Sequence, residues 1–289
     1  MYKIVTLKAY GDFLIACSAA RVMEANVSVH PISIIASTHV CPLADALSIP
    51  DDRVTYITDQ VSYDVPAVFD IRKQGIFSAL RSLRGIIHQI NLLHYDMELV
   101  FDSLGWRQRL IGLGRKIHGL PRKAKNIYLD YDCFFESTGV LVRSEKLPSV
   151  VGINRAIIIP GARMSFRVIP GSTISKIYRE LETRGIQVKV ILLEGDKIDL
   201  PLDMAVEVVP RNFSSLVSSL RDSNFIISAD SLPAHLGAFI NIPVFVFTPV
   251  PDWTSYWLPK PTFLTNGMAN FVDLRPFRNW LDKYSSSDL

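Results

Sequence analysis

The chain has little cysteine. Cys17, Cys41 and Cys133 are an odd number with no C-x-x-C spacing, which argues against a disulfide framework or a structural zinc site and fits a reducing compartment. No run of about 18 apolar residues occurs, so no membrane-spanning helix is expected. The opening stretch Met1–Asp12 has no apolar core of signal-peptide length, because Lys8 and Asp12 interrupt it. Charge of one sign is also missing overall: 31 basic against 28 acidic residues leave +3, too little by itself to imply nucleic acid. The first strand-and-turn segment lacks G-x-G-x-x-G, with only Gly11 in place, and that disfavours a dinucleotide site of the NAD kind. What remains is a chain of 289 residues, 48% hydrophobic and 20% charged, long enough for two domains that each bury a core.

The most informative stretch is Asn224–Thr248. It reads as a buried strand (Phe225–Ser228), a polar turn (Asp230, Ser231), a helix opening near Pro233 and carrying His235, and a second buried strand (Val244–Phe247). Proline suits the first helical turn, where its missing N–H has no helical partner. The turn presents unpaired amides at a helix N-terminus, which favours an anion there, at the strand end where open α/β sheets bind ligands. Two readings are open for Asp230 and Ser231: they cap the helix, or they face a ligand, with Asp230 contacting hydroxyls or orienting His235.

Around this stretch, strands and helices alternate. Ile4–Leu7, Ile32–Ile35, Val54–Ile57 and Glu98–Asp102 read as strands of a first half, and Ala156–Ile159, Gln187–Leu193 and Val206–Val209 as strands of a second. That rhythm predicts an α/β protein with parallel sheets covered by helices. Asp12 stands where the first helix begins, as an N-cap or as a carboxylate facing a cleft. The expected domains are 1–150 and 151–265, followed by a helical segment, 266–289, that packs back on the first domain. Residues Ile71–Leu93 form a basic amphipathic pattern, able to pack on a sheet or rest on an anionic membrane. From Arg107 to Lys125 the chain is basic throughout, including Arg115, Lys116, Arg122 and Lys123. Such a segment is a solvated face or attracts an anionic partner; no nucleic-acid motif accompanies it.

Four segments, in order along the chain, resemble glycosyltransferase family 9, the heptosyltransferases of the lipopolysaccharide inner core. They are Gly11-Asp12 before an apolar helix, P-G-A-R-x-x-x-R-x-x-P at Pro160–Pro170, I-L-L-E-G-D at Ile191–Asp196, and D-S-x-x-x-H at Asp230–His235. The resemblance implies a GT-B architecture, two Rossmann-like domains facing a central cleft, with the acceptor on the first and a sugar nucleotide on the second. It implies inverting transfer of a heptose-like sugar from an ADP-linked donor to an anionic, lipid-linked envelope glycan at the cytoplasmic face of the inner membrane. Asp12 would be the general base, Asp230, Ser231 and His235 would hold the donor sugar and diphosphate, Arg163 and Arg167 would face the phosphates, and Glu194 would lie near the nucleoside. The residue types agree with that chemistry: a positioned carboxylate takes the acceptor proton, while arginines and a helix N-terminus stabilise the leaving diphosphate, so no cofactor and no metal are expected. The cluster Arg115, Lys116, Arg122 and Lys123 would meet the acceptor or the membrane. Two features depart from the family: Leu232 replaces a glycine, and Pro251–Trp257 lacks a glycine-rich form. An epimerase of the same architecture and a non-catalytic sugar-nucleotide-binding protein are the alternatives.

Overall fold

The chain builds two parallel sheets, one in each half, because its central strands are apolar on both faces and most consecutive strands are joined through helices, the edge pair Gln187–Leu193 and Val206–Val209 by a connection without one. The structure, a computed structural model, describes residues 2–7, 9–23, 32–58, 75–93, 97–142 and 152–285. The chain divides into two units, residues 1–145 and 146–289.

The first unit has β1 (Tyr2–Thr6), β2 (Ser33–Ser37), β3 (Val54–Ile57), β4 (Glu98–Phe101) and β5 (Lys116–Gly119) in the order β3-β2-β1-β4-β5. Its helices are α1 (Tyr10–Val22), α2 (Cys41–Ala46), α3 (Ile76–Asn91), α4 (Trp106–Ile111) and α5 (Ile127–Ser137). Val5, Ile35, Ile57, Leu99 and Phe101 from the sheet meet Leu83, Ile86 and Ile90 of α3 and Ile111 of α4 in one apolar core. The helix expected from Ile71 starts at Ile76, after Gly75 at φ 76°; residues 71–74 lie outside the described residues.

The second unit has β6 (Arg155–Ile159), β7 (Gln187–Leu193), β8 (Val206–Val209), β9 (Phe225–Ala229), β10 (Val244–Thr248) and β11 (Met268–Asn270), ordered β11-β10-β9-β6-β7-β8. Its helices are α6 (Gly171–Glu182), α7 (Phe213–Arg221), α8 (Leu232–Phe239), α9 (Lys260–Leu264) and α10 (Arg275–Ser285). The closing helix α10 has its apolar side, Phe277, Trp280 and Leu281, in the second unit's own core against Phe225 and Phe245. A stripe of two large aromatics and a leucine is best buried on the nearest uncovered sheet face, and the strands β9 and β10 supply it.

Counted within its own unit, each sheet has its first strand beside its fourth. The chain leaves the first strand in one direction and returns on the other side, which opens a crevice at the carboxyl ends of that pair. The two crevices are at β1/β4 and at β6/β9.

Candidate functional site

At the second crevice the loops after β6 and β9 are tied together. Ser231 is the residue before α8, with an extended backbone (φ −158°, ψ −178°), yet its hydroxyl does not cap the helix. It donates instead to the Gly161 carbonyl at 3.1 Å, across the crevice. Asp230 does not cap either. Its buried carboxylate accepts from Trp253 Nε1 through Oδ2 at 2.7 Å, and Oδ2 also lies 3.4 Å from Arg167 Nη1. The capping reading of both residues is therefore replaced by a cross-loop one.

Arg167 follows β6 in a short 3-10 turn (Ser165–Arg167). Its guanidinium stacks on Trp253, 4.9 Å from the ring centre, and lies 5.8 Å from that of Phe166. The ion pair to Asp230 is long beside the ~2.7–2.9 Å of a tight charge-assisted bond. Arg167 Nε is buried without a hydrogen-bond partner. A buried guanidinium N–H left unpaired costs free energy, and an incoming anion removes that cost. Nearby, in the first turn of α8, Pro233 has no N–H and the Ala234 N–H donates to the Ser231 carbonyl at 3.1 Å, so Leu232 supplies the amide that precedes the helical bonds.

His235 is buried one turn into α8. Burial pushes its imidazole well below the ordinary range, and the Asp230 carboxylate opposes that shift without cancelling it. The ring is thus neutral at neutral pH and offers one donor and one acceptor, not a cation.

The turn after β7 contains the expected Glu194, but its side chain is exposed and its carbonyl accepts from Arg211 Nε at 2.8 Å. The turn's inward carboxylate is Asp196, which accepts from Leu193 N–H at 3.0 Å and pairs with Arg211 at 2.6 Å. A side chain at Gly161 would meet Asp196 at 2.9 Å, so three loops converge where Gly161 has no Cβ. Arg163 is exposed on the same loop as Arg167.

In the first unit Asp12 is the third residue of α1, not its N-cap, which is Ala9. Its carboxylate accepts from the Ala9 N–H at 3.2 Å, the acidic half of a capping box, and is half-buried at the carboxyl end of β1. The four residues of the expected basic cluster are held in different ways. Arg115 donates to the carbonyls of Ile90 and Leu93 at 3.0 and 2.8 Å, closing the C-terminal end of α3. Lys116 pairs with Glu98 at 2.8 Å on the neighbouring strand. Arg122 and Lys123 are exposed, in a loop held by Asp130, whose buried carboxylate accepts the N–H groups of Lys123 and Ala124, both at 3.0 Å. Asp130-Tyr131-Asp132 has D-x-D spacing, but it lies inside α5 with Asp130 occupied in this way. Among the described residues no group of three or more His, Cys, Asp and Glu is placed to hold a metal ion.

Sequence reasoning missed Trp253, Phe166, Asp196 and Arg211. The signal for Trp253 was its place just after β10, at the same carboxyl edge of a parallel sheet as Asp230, in a segment read only as a departure.

No protein-family model matches the chain, and no curated protein matches it in sequence. Solved structures do match. E. coli heptosyltransferase WaaC with ADP superposes with a TM-score of 0.65 at 14% identity, covering 98% of this chain and 99% of that one. A glycosyl transferase family 9 protein from Veillonella parvula DSM 2008 gives 0.64 at 12% identity, covering 99% and 90%. Spinosyn forosaminyltransferase SpnP gives 0.53 at 12% identity, covering 98% and 90%. At these identities the likeness is one of fold. The chain has the α/β fold of GT-B glycosyltransferases and is similar to the heptosyltransferases over nearly its whole length.

Proposed function

We propose that this chain is an inverting glycosyltransferase that moves a heptose-like sugar from an ADP-linked donor to an anionic, lipid-linked core glycan or related envelope acceptor. The observation that carries the reading is Arg167, stacked on Trp253 beside Asp230 with a buried, unpartnered Nε at the β6/β9 crevice. Its guanidinium and the Leu232 amide at the start of α8 offer a diphosphate both charge and donors. WaaC, similar in fold, was solved with ADP.

In the proposed reaction the acceptor oxygen attacks the anomeric carbon in line with the bond to the diphosphate. The new C–O bond forms as the old one breaks, inverting the carbon. Asp12 takes the acceptor proton, and Arg167, aided by Arg163, stabilises the charge left on the diphosphate. Asp230 Oδ2 is engaged by Trp253 and Arg167, and its other oxygen accepts from a donor-sugar hydroxyl. Neutral His235 and the Ser231 hydroxyl complete that wall, and the turn Glu194–Asp196 borders the nucleoside. The reaction requires Asp12 of the first unit to meet the donor held by the second. Arg122 and Lys123 contact the anionic acceptor, which is met at the cytoplasmic face of the inner membrane; nucleic acid is not a partner and no metal is required. Leu232 has no positive φ, so the helix start does not need the family's glycine for its backbone.

Labelled ADP-heptose incubated with and without a lipid-linked core acceptor, in excess chelator, separates the readings. Transfer to acceptor is expected. Isomerised donor without acceptor indicates an epimerase, and binding without turnover a non-catalytic protein.

A further inference from the structure

Eight of the seventeen large apolar side chains exposed among the described residues lie between Ile76 and Leu113, on α3, α4 and the turns beside them. The sequence pattern of α3 explains only its inner side. Ala79, Leu83, Ile86 and Ile90 face the sheet, whereas Phe77, 85% exposed and two residues before Ala79, points about 160° away from them. Leu80, 58% exposed, flanks it, and the neighbouring cations on the outer surface are Arg81 and Arg84. Helix α4 packs beside α3. It exposes Trp106, with the Arg107 guanidinium 5.3 Å from the ring centre, and Leu110. Leu104, just before it, borders Gly119 at the end of β5, where the loop bearing the exposed Arg122, Lys123 and Lys125 begins. No Asp or Glu occurs in residues 75–93 or 103–129.

Large apolar groups held among cations, in two stretches that carry no carboxylate of their own, are costly to leave in water and have no use in a purely solvated face. We infer that the outer surface of α3 and α4 docks this unit onto an anionic phospholipid bilayer. Phe77, Leu80 and Trp106 enter the boundary between headgroups and acyl chains, while Arg81, Arg84, Arg107 and the loop cations engage lipid phosphates. A bilayer suits the surface better than a nucleic acid, which would use the cations and leave Phe77 and Leu80 in water. The loop after β5 and the turn before α4 leave the same carboxyl edge of the sheet as Asp12, so docking brings that edge to a lipid-borne acceptor. This purpose rests on the proposed transferase reading, but its test does not.

The full chain is sedimented with phosphatidylcholine vesicles, with and without phosphatidylglycerol, at low and high salt. Binding only to the anionic vesicles is expected, with weakening by salt. F77S/W106S should lower the partition coefficient about tenfold or more, and R81Q/R84Q about tenfold at low salt. Both pairs are exposed, and circular dichroism checks that each variant folds. Absence of the intact chain from anionic vesicles overturns the proposal. So does binding that F77S/W106S leaves unchanged, or binding to single-stranded RNA that competes equally with the vesicles. Vesicle binding with no sugar transfer would sink the enzymatic reading and leave the docking surface standing.

Discussion

At Asp12 a structural role and a catalytic one make different demands. The carboxylate accepts one amide bond at the third position of α1, a role an asparagine carbonyl oxygen can also fill, and the loss of charge near a helix N-terminus costs only about 0.3–1 kcal/mol. Asp12→Asn is therefore expected to leave thermal stability almost unchanged and to lower kcat about 100-fold, with donor KM little altered. A variant turning over at the wild-type rate, with chemistry rate-limiting, removes Asp12 from the mechanism. Trp253 acts through Arg167 and Asp230: its ring supports the guanidinium and its N–H holds the carboxylate. Trp253→Phe keeps the stacking and loses a hydrogen bond to a charged group, worth about 1.5–3 kcal/mol, so ADP affinity should fall about tenfold or more. Trp253→Leu loses both contacts and should fall further. Equal ADP affinity by calorimetry in all three proteins would show that Arg167 does not depend on this residue.

The element that matters most is α8, because its start and its first turns carry Ser231, Pro233 and His235. It can lie close to the sheet only because residue 237 has no side chain. A Cβ at Gly237 would sit 2.6 Å from Ile226 Cδ1 and 2.7 Å from Val244 Cγ2, both in the packed core. Gly237 has no positive φ, so the constraint is one of space and not of backbone conformation. Gly237→Ala is expected to overpack the interface between α8 and strands β9 and β10, costing about 1–3 kcal/mol in denaturant unfolding, and to weaken ADP binding as the helix shifts. Unchanged stability with weakened binding would instead point to a local effect on the loop. Arg115 shows the same dependence on elements from the other direction: its guanidinium donates to the Ile90 and Leu93 carbonyls where α3 ends, a contact that the sequence pattern does not announce.

Across the whole molecule, each unit has its own sheet and core, and the residues proposed to hold the donor all belong to the second. A ligand that binds only the native protein stabilises it by mass action, about 2.7 kcal/mol at 100 times its Kd. ADP is expected to raise the Tm of the full chain and to slow amide exchange at residues 160–170 and 229–236, leaving residues 9–12 at the start of α1 little changed. GDP and UDP at the same concentration should have smaller effects. Protection centred on residues 9–12 would place the nucleotide on the first unit and overturn the donor assignment.

Local pattern was enough for much of this protein. Continuous apolar strands separated by helical periods determined two α/β halves, and the polar turn between Ala229 and Pro233 marked a candidate ligand site, because both signals are carried by residues adjacent in sequence. Strand β5 was hidden: Lys116–Gly119 is a half-buried edge strand with one large aliphatic residue, so its charge outweighed its pattern. What neighbours in sequence cannot carry is the meeting of distant loops. Ser231 was readable as a cap, and only the fold turned its hydroxyl to Gly161, 70 residues away. Glu194 and Asp196 were indistinguishable carboxylates until the φ of 87° at Gly195 directed the second one inward to Arg211 and Gly161. Trp253 found Asp230 because parallel strands bring every carboxyl end to one edge, whatever the separation along the chain.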